Sequence, residues 1–196
     1  MQIFIDESGN FTNKADISVV CALIVPHKNI NKLRVQLRDL AHKDHWVSLN
    51  EEFKGGYFKK EHLKNLINLL FDHSVLLNCV ATAVGEEDNE EISVHQKEQG
   101  IKLTKNLTPN HQLSLIKDVF RLRTELENMP PQLYIQYTLM RELLWETLQK
   151  ATMYFAQRRP YELGKFSWYI DAKDPQKITA QEQWWKTTLC PLLERS

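Results

Sequence analysis

The chain has 196 residues, 42% of them hydrophobic and 26% charged, a composition that fits one globular domain with its own core and excludes a low-complexity or disordered class. Its 25 basic and 25 acidic residues cancel, so the chain lacks the broad positive field of a nucleic-acid coat protein, and contact with DNA or RNA must come from a local patch. No run approaches the roughly 20 apolar residues of a membrane span and the N-terminus has no basic region with a long apolar core, so a cytoplasmic location without membrane contact is expected.

In chain order, Ile3-Phe4-Ile5 is β-branched and aromatic and predicts a first strand, which Ser8-Gly9-Asn10 ends with turn chemistry. Asp6 and Glu7 are thereby delivered to the carboxyl end of that strand, where sheet proteins commonly bind ligands. Ile17 to Val25 is near-continuously apolar and stopped by Pro26, which predicts a second strand in a hairpin with the first. Ile30, Leu33, Leu37, Leu40 and Ala41 recur at helical spacing, with Asn29 or Asn31 as a cap. After an irregular segment closed by Gly55-Gly56, Leu63, Leu66, Ile67 and Leu70 predict a second helix to about Asp72. These two helices form a helical insertion over about 29–72.

Val75 to Val84 predicts a third strand, and the polar stretch 86–110 has no sustained period and is expected to be a loop. His111 to Glu127 is helical up to Pro130-Pro131. A long helix follows with Leu133, Tyr137, Met140, Leu144, Leu148, Ala151 and Phe155 on one face, ending at Arg158-Arg159-Pro160. Lys165 to Ile170 predicts a fourth strand, and the segment from Thr179 through Trp184-Trp185 a last helix. Cys21, Cys79 and Cys190 are odd in number and widely spaced. They are expected to be reduced, small buried hydrophobes.

Phe4-Ile5-Asp6-Glu7-Ser8-Gly9, together with Glu52-Phe53-Lys54-Gly55 and Trp168-Tyr169-Ile170-Asp171, resembles a large, mostly microbial family of unknown function that opens on Tyr/Phe-x-Asp-Glu-Ser-Gly and is thought to have a ribonuclease-H-like fold. The resemblance implies an α/β class, a single ribonuclease-H-like domain over 1–196 with a mixed sheet and flanking helices. It also implies a fourth strand parallel to and beside the first. The family's C-terminal Leu-Gln-x-Ala-Asp-like motif is absent, so the fold is expected to be C-terminally incomplete. Self-association, most simply as a homodimer through Trp184, Trp185, Leu189 and Leu192, is the expected remedy for the edge left open.

With the first and fourth strands side by side, Asp6 and Asp171 would emerge about one strand spacing apart, ~4.8 Å. Two close carboxylates repel unless one is protonated or a cation lies between them. Mg²⁺ or Mn²⁺ is the expected cofactor, since Mg²⁺ is satisfied by one or two carboxylates with water and phosphate oxygens. Glu7 alternates to the opposite face and joins the site only if the chain turns at once. Asp174 is either a further ligand or a cap for the segment after Pro175. The resemblance makes Glu52 an auxiliary ligand or a partner of Lys54, and Lys54, beside Gly55-Gly56, a phosphate contact.

Other constellations are weaker. His42-x-x-His45 has metal spacing without a second pair and better suits a helix C-terminus. Ser8 has no histidine placed to activate it, Gly-x-Ser-x-Gly is absent, and no phosphate-binding glycine loop is present. The expected function is metal-dependent cleavage of DNA or RNA phosphodiesters by a nuclease or phosphoesterase, with Asp6, Glu52, Lys54 and Asp171 at its centre. The alternative is a catalytically inactive binding or assembly module that keeps the sheet.

Overall fold

The computed structural model describes residues 1–11, 16–46, 48–49, 52–53, 55–84 and 89–170. The chain is α/β, with a mixed four-stranded sheet flanked by helices. Its sheet strands are β1 (Gln2–Ser8), β2 (Asp16–Val25), β5 (Leu76–Val84) and β6 (Ser167–Ile170), in the order β5-β2-β1-β6. A separate two-stranded ribbon pairs β3 (Ser48–Leu49) with β4 (Glu52–Phe53), antiparallel. The helices are α1 (Ile30–Lys43), α2 (Lys60–Asp72), α3 (Asn89–Thr104), α4 (Leu113–Glu127) and α5 (Pro131–Arg158).

The expected parallel pairing of the first and last sheet strands is present, with Ile3 opposite Trp168, Phe4 opposite Tyr169 and Ile5 opposite Ile170. Alternation sorts each strand: Ile3 and Ile5 of β1, and Ser18, Val20, Ala22 and Ile24 of β2, are buried, while residues between them are part-exposed. Phe4 and Tyr169, in register on the other face, stack with ring centroids 5.0 Å apart.

The chain divides into two compact units. The first comprises Met1–Ile5, Ala22–Asn78 and Thr147–Ile170. Its amino end is fixed by the Met1 ammonium, which lies 3.1 Å from Glu162 Oε2 and donates to the Lys165 carbonyl over 2.7 Å. Glu162 Oε2 also accepts from the His27 amide at 2.9 Å. Asn29 does not cap α1 with its side chain; its amide donates instead to the His73 carbonyl at 2.6 Å, and His73 Nε2 meets Gln36 Oε1, tying α1 to the end of α2. Asn78 of β5 donates to Thr147 of α5 at 3.2 Å and accepts from Lys150 at 2.7 Å, so a buried polar residue facing the helix is satisfied.

The second unit comprises Asp6–Cys21 and Cys79–Glu146 among the described residues. Its core joins Ile92, Leu126, Met129 and Tyr134, with Leu103, Leu133, Ile135 and Tyr137 against them. The stretch expected as a polar loop over 86–110 is corrected here, because residues 89–104 form α3. Its buried stripe is Ile92, Gln96 and Gly100, four residues apart, so helical periodicity is carried by an amide and a glycine rather than by apolar side chains. Gln96 Nε2 donates to the Leu126 and Met129 carbonyls at 3.1 and 2.8 Å, satisfying backbone groups at the end of α4. Gly100 admits Glu127, whose side chain would lie 2.5 Å from a Cβ at that position. No described helix is long and apolar enough to cross a membrane.

Candidate functional site

Asp6 lies within β1, which continues as strand through Ser8, so the strand runs two residues past Asp6. The turn is made by Gly9, at φ +116°, and by Phe11, a buried aromatic at φ +53° whose amide donates to Ser18 Oγ at 3.0 Å. Because the chain stays extended, Asp6 and Glu7 alternate to opposite faces. The Asp6 carboxylate is exposed, and its Oδ1 accepts from the Glu7 amide at 2.8 Å.

Of the other sequence-predicted residues, Glu52 lies on the short strand β4, where its backbone pairs with Leu49. Lys54, Asp171 and Asp174 lie outside the described residues, as do Trp184, Trp185, Leu189 and Leu192. What is described is the approach to Asp171: β6 ends at Ile170, opposite Ile5, and Asp171 follows in the chain. Among the described residues no group of three or more His, Cys, Asp or Glu side chains is gathered as a metal set. Asp6 is a solvent-facing carboxylate, a hard oxygen donor.

Beside Asp6 in the same unit stand two cysteines that the sequence suggested were buried. Cys79 is exposed and Cys21 half-exposed, because both occupy strand positions alternating with the buried ones, Cys21 between Val20 and Ala22 and Cys79 after Asn78. A continuously apolar strand hides which face each residue takes. Cys21 Sγ donates to Cys79 Sγ at 2.6 Å. Partial burial, the Cys79 hydrogen bond, the Cys79 charge and then the nearby Asp6 carboxylate push the Cys21 thiol up to about 12, from 9.0. Asp6 and Cys21 thus share an electrostatic neighbourhood.

His95 lies on α3, in the stretch expected as a polar loop. It faces a cavity of about 140 Å³ lined with Tyr134, Thr82, Thr138, Ile92 and Leu139. His95 Nδ1 is 2.7 Å from Tyr134 Oη and Nε2 is 3.0 Å from Gln99 Nε2. With the Gln99 amide donating to Nε2, the tautomer that satisfies both contacts has its proton on Nδ1, directed at Tyr134 Oη. Its only sequence signal was the Ile92-Gln96-Gly100 spacing that would have identified the helix. Comparison with family models, with curated proteins and with solved structures found no match.

Proposed function

We propose that this chain is a divalent-metal-dependent nuclease or related phosphoesterase on a ribonuclease-H-like sheet, akin to the microbial family its first nine residues resemble. The observation that carries the reading is the register of the parallel strands: Ile5 lies opposite Ile170, and the next residues in sequence are Asp6 and Asp171. Adjacent parallel strands ~4.8 Å apart carry registered side chains in step, which is how acids far apart in a chain come to share one ion. The exposed Asp6 carboxylate, held by the Glu7 amide through one oxygen, supports the reading further.

In this proposal Asp6 and Asp171 are the metal ligands, Glu52 or Asp174 is auxiliary, and Lys54 contacts the phosphate. Glu7 faces away from Asp6 along the extended strand and is subordinate. Mg²⁺ or Mn²⁺, when bound, supplies Lewis-acid stabilisation of phosphoryl oxygens and lowers the pKa of a bound water. The protein's part is to hold hard oxygen donors on a rigid sheet and to orient the phosphate by the Lys54 point charge.

The test is cleavage of labelled single- and double-stranded DNA and RNA by the full chain in Mg²⁺, Mn²⁺ or chelator. Metal-dependent cleavage that disappears in both Asp6→Asn and Asp171→Asn, with Lys54→Ala weakening oligonucleotide binding more than metal binding, is the expected result. A wild-type chain that neither cleaves nor gains thermal stability from either ion overturns it in favour of an inactive binding or assembly module.

A further inference from the structure

Cys21 and Cys79 stand on β2 and β5, which are neighbours in the sheet, and their sulfurs are 2.6 Å apart as free thiols. Residues facing one another on adjacent strands have Cα atoms ~4.5 to 5.5 Å apart, within the ~4.4 to 6.8 Å that a disulfide spans. Removing two hydrogens would let sulfurs already this close bond to one another. The pair is also accessible, since Cys79 is exposed and Cys21 half-exposed.

We propose that Cys21 and Cys79 are a peroxide-sensitive modification site, closing reversibly into a cross-strand disulfide. The proposal is independent of the nuclease reading. Of the two thiols, Cys79 is the more exposed, so it meets the oxidant first. The Cys79 thiolate attacks one oxygen of hydrogen peroxide and the O–O bond breaks. The departing hydroxide takes up the thiol's proton as water, leaving Cys79 as its sulfenic acid. Cys21 Sγ, already in contact, attacks that sulfur; the S–O bond breaks and the leaving hydroxide takes the Cys21 proton as a second water. Two thiols lose two electrons and one peroxide becomes two waters. An external dithiol reverses the step by exchange, its own pair becoming the disulfide.

The full chain, reduced and then exposed to a few equivalents of hydrogen peroxide, is alkylated under denaturing conditions and weighed, alongside Cys190→Ser, which removes the third thiol. Cys190→Ser is expected to lose both alkylatable thiols as a monomer lighter by two hydrogens, to yield one peptide pair joining positions 21 and 79, and to recover both thiols with dithiothreitol. In Cys21→Ser the sulfenic acid at Cys79 is expected to persist long enough for trapping by dimedone. The proposal is overturned if both thiols of Cys190→Ser stay alkylatable, or if they join only between molecules. It is equally overturned if the wild type links Cys79 to Cys190 and leaves Cys21 free.

Discussion

The Phe11 amide donates to Ser18 Oγ over 3.0 Å in a buried contact, and this bond closes the turn that follows Asp6-Glu7-Ser8. The turn has no room for a side chain at Gly9. A Cβ there would lie 2.7 Å from Ser18 Cα and 2.6 Å from Ser18 Oγ, and the backbone is at φ +116°. Backbone cannot yield as a flexible side chain can. Gly9→Ala is therefore expected to lose at least about 2 kcal/mol of stability, measured by urea unfolding. A loss below about 0.5 kcal/mol would show that the turn relaxes freely.

Asp6 supports a prediction that separates ligand from scaffold. At a metal concentration one hundred times Kd, binding to the folded state adds about 2.7 kcal/mol. Under the proposed function, Asp6→Asn is expected to reduce that gain to under about 1 kcal/mol while leaving unfolding without metal within about 0.5 kcal/mol of wild type, since the side chain is exposed. Paired melts in Mn²⁺ and in chelator read both quantities. An undiminished metal gain removes Asp6 from any ion site.

Gln96 is 4% exposed and satisfies two carbonyls at the end of α4. Truncation takes the side-chain donor from both acceptors and leaves the Leu126 carbonyl with the Met129 amide, at 3.3 Å. Gln96→Ala is expected to cost about 2 to 3 kcal/mol and to speed amide exchange across residues 89–104 more than across β1. Equal protection in the two proteins would mean that α3 is held by its apolar contacts alone.

That helix marks where the sequence stopped being legible. β1, β2, β5 and β6 and helices α1, α2, α4 and α5 announce themselves because their sequences carry apolar residues in short runs or at helical spacing, with Pro26, Pro130 and Pro160 as punctuation. α3 buries Gln96 and Gly100, so its period is written in residues that a hydrophobic pattern passes over, and His95 was lost with it. Cys21 and Cys79 failed differently: an apolar strand flanked by apolar residues does not reveal which face is covered. Asp6 was legible through its strand and turn, although its strand runs on through Ser8. Its suggested partners Lys54, Asp171 and Asp174 lie outside the described residues.

Glu162 yields the pH dependence. Burial alone would raise its carboxyl, but the His27 amide and the Met1 ammonium outweigh this, and the result is a pKa below the ordinary 4.5. A group depressed on folding stabilises the protein fully above its unfolded value and loses that contribution as pH falls through the folded value. Glu162→Gln keeps an acceptor for the His27 amide but leaves the ammonium of the buried Met1, 3.1 Å from Oε2, without its counter-charge. At pH 7 the variant is expected to be less stable by about 3 kcal/mol, the usual consequence of breaking a buried pair. The gap should hold down to about pH 5 and narrow below 4.5 as the wild-type carboxylate takes up its proton, which urea unfolding from pH 3 to 7 measures directly. A gap that stays constant across that range would mean that Glu162 acts through shape and hydrogen bonding, and that its charge contributes nothing to holding the amino end of β1.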